Sequence, residues 1–188
     1  MSESIKNQKQ AIRNVLLMKR SQLPVAETAR LSLIICRYLS KWVLDQKVTS
    51  VFLYMPVRGE IDPRPLLKLN PALTYALPVT SGSTMQFYQW APGDPLNPGP
   101  YGIHEPTPKG AALMPNETTA ILVPSLAVSL AGVRLGYGGG YFDRYLAGHR
   151  GKVIAVTTDL FLLPELPFAP HDQLMDWVVT ESGVLKLR

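Results

Sequence analysis

The chain has 188 residues, of which 46% are hydrophobic and 18% are charged; this composition excludes a disordered protein and predicts one globular domain over residues 1–188. No apolar run approaches the roughly 20 residues of a membrane span, and the first residues lack the apolar core of a signal peptide. Cys36 is a single cysteine and has no partner for an internal disulfide. We therefore expect a cytoplasmic protein without a membrane partner. The net charge of +5 comes from scattered basic residues that do not interleave with aromatic ones, which favours a cationic pocket for a small polyanion over a nucleic-acid partner.

Helical periodicity predicts an N-terminal arm of two helices. Residues 4–20 have a partial apolar face, and Pro24 begins a second helix over about residues 25–45. Lys9 and Arg13 are four residues apart on the first helix, so their side chains project from one face. Such a pair either lines a site or forms an ordinary solvated basic face.

The middle of the chain alternates strands with loops. A buried strand over residues 48–54 ends at Met55, and Glu60 lies in the following loop, where it serves either a site or the entry of the next helix. That short helix begins at Pro63 and continues to Leu69. The next predicted segments are short strands over 73–77 and 84–90 and an irregular Pro- and Gly-rich stretch, a lid or a meander, over 91–118.

The segment from Arg134 to Arg144 is the most informative stretch, and it reads Arg-Leu-Gly-Tyr-Gly-Gly-Gly-Tyr-Phe-Asp-Arg. Four glycines in residues 136–140 remove side chains from a turn, so that backbone N–H groups can converge on an anion. The amino end of the helix that follows also favours phosphate. Asp143 adds a carboxylate that could hold Mg²⁺ beside phosphate oxygens.

This glycine segment matches neither of two common nucleotide motifs. No Gly-Lys-Ser/Thr follows it, and the Gly-x-Gly-x-x-Gly spacing fails at Tyr141. Its spacing leaves open a phosphate-binding loop or a flexible turn into an ordinary helix. The sequence has no Cys/His metal cluster and no Gly-x-Ser-x-Gly, so neither a zinc site nor a serine triad is predicted.

Alternating strands and helices predict an α/β fold: a single domain with a mostly parallel sheet, helices on both faces and an N-terminal helical arm. In such sheets ligands bind at the carboxyl ends of the strands, where we expect both Glu60 and the glycine segment. Asp176 precedes the last strand, where a turn residue is common. The remaining predicted elements are a strand over 119–123, a helix over about 139–148, a strand over 152–157 and a strand from Trp177 to Thr180.

Several motifs together resemble the 5-formyltetrahydrofolate cyclo-ligase family in order and spacing. They are Lys9-x-x-x-Arg13, Glu60-Ile61-Asp62, Arg134-Leu-Gly-Tyr-Gly-Gly-Gly-Tyr-Phe-Asp143-Arg, and an ending with His171-Asp172, Asp176 and Val178-Val179-Thr180-Glu181. The resemblance covers nearly the whole chain, and the glycine segment is its most specific part. It implies an enzyme that uses ATP and Mg²⁺ to convert 5-formyltetrahydrofolate to 5,10-methenyltetrahydrofolate, with release of ADP and phosphate. We expect a monomer.

The resemblance also implies roles for individual residues. Arg134, Tyr141 and Asp143 would be catalytic, and Asp143 and Asp176 would bind magnesium. The nucleotide phosphates would contact Lys9, Arg13, Arg134, Gly136, Tyr137, Gly138, Gly139, Gly140, Tyr141 and Phe142. The folate would contact Arg13, Met55, Glu60, Tyr137 and Tyr141. In the implied chemistry the formyl oxygen is phosphorylated and N10 then attacks the activated carbon, which requires positioned phosphates, a metal and cations more than a protein nucleophile.

Two other functions are compatible with these residues. One is an ATP-binding paralogue that acts on another carbonyl or amide substrate; it would differ at the folate side, Met55 and Glu60. The other is a non-catalytic nucleotide- or polyanion-binding protein. Asp143 argues against it, because phosphate capture alone gains little from an added carboxylate.

Overall fold

Two long helices form the N-terminal part of the protein in the computed structural model, which describes residues 3–188. They are α1 (Glu3–Ser21) and α2 (Val25–Asp45), and the turn between them ends at Pro24. Proline suits the position before the first helical residue, because the helix does not need its missing N–H there. Both predicted helices are confirmed. Within residues 3–188, no helix is both long enough and apolar enough to cross a lipid bilayer.

The strands described in residues 3–188 form three sheets. In chain order they are β1 (Ser50–Phe52), β2 (Thr74–Ser81), β3 (Thr84–Gln89), β4 (Leu96–Pro98), β5 (His104–Pro106), β6 (Thr119–Pro124), β7 (Ala127–Ser129), β8 (Arg134–Leu135), β9 (Lys152–Val156), β10 (Leu162–Leu163), β11 (Trp177–Thr180) and β12 (Gly183–Lys186). The other helices are α3 (Pro65–Leu69) and α4 (Tyr141–Gly148), with short 3-10 turns at Pro100–Gly102 and Asp159–Phe161.

The central sheet has seven strands in the order β12-β11-β9-β6-β1-β2-β3. Its five inner strands are parallel to one another, and the two edge strands, β3 and β12, pair antiparallel. In register, Val51 of β1 stands between Tyr75 of β2 and Ala120 of β6. The mostly parallel sheet predicted from the sequence is confirmed. Because parallel strands end at the same edge, the loops that leave β1, β6 and β9 meet there.

Helices cover both faces of this sheet. On one face α2 buries Ile35 and Leu39 against alternate residues of β6, such as Leu122. On the other face α4 packs Tyr145 on Phe87, with 5.0 Å between ring centroids. The apolar run of β6 is buried on both sides, as expected for an inner parallel strand. The sheet is therefore a rigid support for the loops at its carboxyl edge.

The shortest elements differ from the sequence predictions. The stretch 91–118 contains the hairpin of β4 and β5, and β7, β8 and β10 form a separate three-stranded sheet. Strands of two or three residues carry too few alternations to show a period, and the partner of β10, β7, is remote in the chain. The helix predicted from residue 139 begins at Tyr141, because Gly140 has a left-handed φ of +69°.

Candidate active site

The glycine segment lies at the carboxyl edge of the central sheet, between β8 and the first turn of α4. Two of its residues have left-handed backbone conformations that favour glycine, with φ of +101° at Gly138 and +69° at Gly140. Gly136 lacks a side chain for another reason, since a Cβ there would overlap Nη1 of Arg134. The glycines therefore shape the loop and let an arginine side chain pack against bare backbone.

Arg134 links the glycine segment to the sheet. Its Nη1 donates to the carbonyl oxygen of Pro124 at 3.2 Å, at the carboxyl end of β6, and its Nη2 donates to Asp143 Oδ2 at 2.9 Å. The ring of Phe142 lies 5.8 Å from the guanidinium carbon. The buried Nε has no hydrogen-bond partner among the described residues.

Helix α1 contributes two more cations, one to the glycine segment and one to the nearby Asp172. Arg13 Nε donates to the carbonyl oxygen of Gly136 at 2.8 Å. Burial lowers the pKa of Arg13, and the like charge of Arg134 lowers it further. Lys9 is 6% exposed and forms an ion pair with Asp172. The two cations predicted on α1 are thus held by tertiary contacts, Arg13 by the glycine segment and Lys9 by Asp172, and they do not form a solvated basic face.

Asp172 is a residue of this site to which the sequence analysis assigned no role. Its carboxylate is 8% exposed, pairs with Lys9 and accepts a backbone N–H at 2.7 Å. Its charge and that of Asp143 both raise the pKa of Arg13 against the effect of burial, so the two carboxylates face one guanidinium. The N–H of Gln173 points to Asp143 Oδ1 at 3.4 Å. The sequence signal of Asp172 is weak, because it is a single acidic residue after a proline-rich turn.

Asp176, the second metal residue implied by the resemblance, has different surroundings. Its Oδ2 accepts the N–H of Val153 at 3.1 Å and its Oδ1 accepts Nε of Arg188 at 2.7 Å. These bonds hold it at the amino ends of β9 and β11. Within the part of the chain that the structure describes, no hydrogen bond or ion pair joins it to Asp143. The fold brings Asp172, and not Asp176, to the glycine segment.

Glu60 lies in the loop after β1 and is 7% exposed. Its Oε2 accepts the N–H of Val57 at 2.9 Å. Burial raises the pKa of Glu60 to about 7, while the Val57 N–H, the charge of Arg20 and the nearby Tyr137 hydroxyl lower it. Because Tyr137 belongs to the glycine segment, the carboxylate implied to bind folate is in contact with the loop implied to bind phosphate.

Tyr141 ties the glycine segment to the turn between β2 and β3. Its hydroxyl donates to the carbonyl oxygen of Gly82 at 3.0 Å, and the guanidinium carbon of Arg144 lies 5.1 Å from its ring centroid. The exposed ring of Tyr101 stands edge-on to it, with 6.4 Å between centroids. Tyr101 lies in the irregular stretch after β3 and had no distinguishing sequence signal. Met55 is half-buried in the segment that follows β1, against the core.

The arrangement suits a polyanionic ligand that is bound with a divalent cation. Arg13 and Arg134 contact a backbone that lacks side chains at four positions, and Lys9 joins them through Asp172, whose charge also acts on Arg13. Low exposure strengthens their attraction for an anion, because little water screens the charges. Asp143 and Asp172 add carboxylate oxygens, which Mg²⁺ prefers, on the same side.

Comparison with known proteins identifies the family. Residues 5–181 match the model of the 5-formyltetrahydrofolate cyclo-ligase family. The chain is 34% identical over 194 residues to the 5-formyltetrahydrofolate cyclo-ligase of Mycolicibacterium smegmatis, with 96% of this chain and 97% of the relative covered. The NMR structure of Aquifex aeolicus 5,10-methenyltetrahydrofolate synthetase is similar with a TM-score of 0.82 and 32% identity, over 96% of this chain and 93% of that one. A 5,10-methenyltetrahydrofolate synthetase from Mycoplasma pneumoniae, 21% identical over 91% of this chain and 97% of its own, shares the fold with a TM-score of 0.73. The protein is therefore a ligase of the 5-formyltetrahydrofolate cyclo-ligase family.

Proposed function

We propose that the protein converts 5-formyltetrahydrofolate to 5,10-methenyltetrahydrofolate, with ATP as co-substrate and ADP and phosphate as products. Membership of the family supports the substrate and the product. The contacts of Arg13 and Arg134 with the glycine backbone, with Lys9 held nearby by Asp172, support a nucleotide polyphosphate as the second ligand, and they are the observation that carries the proposal.

The proposed chemistry needs charge and position more than a protein nucleophile. The formyl oxygen is a poor leaving group, and transfer of the γ-phosphoryl group to it makes a good one. The lone pair of N10 then attacks the formyl carbon, phosphate leaves with the electron pair of the C–O bond, and N10 releases its proton. Arg134 and Arg13 would stabilise the negative charge on the transferred group, because both guanidinium groups are already oriented at the loop.

Mg²⁺ fits the acidic side of the site. The ion usually binds one or two carboxylates and completes its shell with phosphate oxygens and water. Among residues 3–188 no three acidic, His or Cys side chains group as a metal centre, so the phosphates would complete the site. We assign the ion to Asp143 with Asp172, and the bonds of Asp176 to Val153 and Arg188 support that replacement. When bound, the ion would neutralise phosphate charge.

The other side of the loop suits a folate. A pterin ring presents N–H donors at its edge and a flat π-face. The buried Glu60 carboxylate would accept from the donors, and the rings of Tyr141 and Tyr101 offer aromatic surface beside the loop. Met55 would add an apolar contact, and Tyr137 joins this side to the phosphate side.

The purified protein incubated with 5-formyltetrahydrofolate and Mg·ATP tests the proposal, with the methenyl product followed by its absorbance and ADP counted. We expect one ADP per product and no product in EDTA without nucleotide; full-rate cyclisation under those conditions would refute the mechanism. Turnover of another amide without folate turnover would indicate the paralogue, and nucleotide binding without turnover would indicate a binding protein. The monomeric state and the cytoplasmic location stay predictions.

A further inference from the structure

Arg20 is a buried cation at the end of α1 that has no part in the proposed phosphate site. It is 5% exposed. Its Nη2 donates to the carbonyl oxygens of Ser125 and Leu126, at 2.6 and 3.1 Å, in the turn after β6. Its Nη1 donates to the hydroxyl of Tyr137 at 3.3 Å, and its guanidinium carbon lies 5.0 Å from the ring centroid of Phe161. Every one of these partners is neutral.

A buried guanidinium needs a counter-charge, and among the described residues Arg20 has no ion pair. The carboxylate on which its charge acts is Glu60, which lies beyond Tyr137. The Tyr137 hydroxyl accepts from Arg20 and lies near the Glu60 carboxyl group, whose pKa it lowers. A buried positive charge and a buried carboxyl group thus have one hydroxyl group between them.

The partners of Tyr137 determine the direction of its O–H bond. A guanidinium can only donate, so Arg20 occupies a lone pair of the hydroxyl oxygen and leaves the proton for the acceptor, Glu60. The ring of Tyr137 is held separately, with the guanidinium carbon of Arg58 5.5 Å from its centroid. One arginine therefore orients the hydroxyl while another packs on the ring.

We propose that Arg20 is a positioning residue for the folate side of the reaction, because it holds the Tyr137 hydroxyl as a donor to Glu60 and so keeps Glu60 an ionised acceptor for N–H groups of the substrate. Arg20 acts through Tyr137 and does not itself touch the substrate. The inference rests on the proposed function, since it requires a substrate that presents donors to Glu60. It goes further in assigning a role to a residue outside every motif of the family resemblance.

The charge of Glu60 is sensitive to its neighbours near neutral pH. Burial raises its pKa to about 7, and loss of an opposing donor would raise it further. A protonated Glu60 presents an O–H group and accepts substrate donors poorly. The groups that face the carboxyl are the N–H of Val57, Arg20 on α1, Tyr137 and Arg134 around the glycine segment, and the buried Tyr54 after β1.

Tyr137→Phe is the sharpest test, because it removes only the hydroxyl and keeps the ring beside Arg58. The probe is 5-formyltetrahydrofolate, whose binding without nucleotide is measured by calorimetry from about pH 6 to about pH 9. Wild-type affinity should rise with pH as Glu60 ionises, with a midpoint at about 7. In the variant we expect the midpoint to rise by roughly one unit, which weakens binding about five-fold at neutral pH and leaves it nearly unchanged at the alkaline end.

Three further variants complete the design. Arg20→Lys keeps the charge but loses the planar fork that reaches the carbonyls and Tyr137 together, so its midpoint should move in the same direction. In a Glu60→Gln background the titrating group is gone, and Tyr137→Phe should cause no pH-dependent change. Tyr38→Phe removes a hydroxyl from an exposed tyrosine on α2 and should match the wild type.

An unchanged midpoint in Tyr137→Phe would overturn the inference. A loss of affinity that is equal at every pH would also overturn it, because a packing role gives that result. If Arg20→Lys does not fold, Tyr137→Phe in the wild-type and Glu60→Gln backgrounds decides alone. The proposed function is tested separately. If the wild-type protein forms no methenyl product with Mg·ATP, both the proposed function and the role of Arg20 are refuted. If it does form product and the pH midpoint of folate binding is unchanged in Tyr137→Phe, only the role of Arg20 is refuted.

Discussion

Replacement of Glu60 by glutamine tests the buried carboxyl group without any substrate. Burial raises its pKa to about 7 from an ordinary value of 4.5. The folded chain therefore holds this proton more tightly than the unfolded chain. The resulting stabilisation is complete below the ordinary value and is lost as the pH rises through about 7. The full difference between the two pKa values corresponds to about 3 kcal/mol in the free energy of unfolding.

Urea unfolding followed by circular dichroism at about pH 5 and about pH 8 measures this effect. Glu60→Gln has no proton to lose, so its stability relative to the wild type should improve by about 2.5 kcal/mol between the two pH values. For a chain of this size, that change corresponds to roughly 5–10 °C in Tm. Glu117→Gln is the matched control, because Glu117 is exposed, and it should follow the wild type at both pH values.

A relative change below about 1 kcal/mol would contradict the reasoning, since it would mean that the Glu60 carboxyl is not desolvated in the folded chain. A change of opposite sign would be equally informative. It would mean that Arg20 and Tyr137 stabilise the carboxylate by more than burial destabilises it.

Four predictions concern the phosphate side. Asp143→Asn keeps the side-chain volume but removes the charge, so the variant should lose phosphoryl transfer and require much more Mg²⁺, whereas Asp176→Asn should keep the wild-type Mg²⁺ dependence. Activity is titrated against Mg²⁺ for both variants. Equal titration curves would mean that Asp143 does not bind the metal. Arg13→Ala should raise the KM for ATP roughly 10- to 100-fold with the fold intact by circular dichroism, because a charge-assisted contact contributes about 1.5–3 kcal/mol. Lys9→Ala should weaken ATP binding similarly. It should also lower the free energy of unfolding, measured in urea, by roughly 3–5 kcal/mol, since it leaves the buried Asp172 carboxylate unpaired. Wild-type behaviour in both assays would mean that Lys9 is an ordinary residue of a solvated helix face. Gly136→Ala places a methyl carbon over a guanidinium nitrogen, so a folded variant should bind ATP weakly by calorimetry, and wild-type affinity would contradict that packing.

Long and strongly patterned segments were predictable from the sequence. α1 and α2 each repeat an apolar face over several turns, and the inner strand β6 is an uninterrupted apolar run, which predicts a parallel sheet. The turn at the glycine segment was predictable because glycine readily adopts the left-handed conformations that Gly138 and Gly140 have. The motifs around Lys9, Glu60 and Arg134 were also sufficient to indicate the family, which the comparisons confirm.

Spatial pairing decided which of two similar residues belongs to the site. Asp172 and Asp176 are both acidic and precede the same strand, so their sequence context does not separate them. The contact of Asp172 with Lys9 joins residues 163 positions apart, and it exists only because the turn before β11 folds back to α1. The pairing of β7 with β10 was unpredictable for a similar reason, since each strand is too short to carry a period of its own.

Arg20 marks the limit of what the sequence by itself determined. In sequence it is one of several basic residues on α1, and the helical period places it on the same face as Lys9 and Arg13 without showing that this face is buried. Its burial depends on Tyr137, 117 residues away, on the carbonyl groups at the end of β6 and on the loop that carries Glu60. Periodicity reports which face of one element is apolar, whereas the burial of a charge depends on surfaces from several elements that meet only in the folded chain.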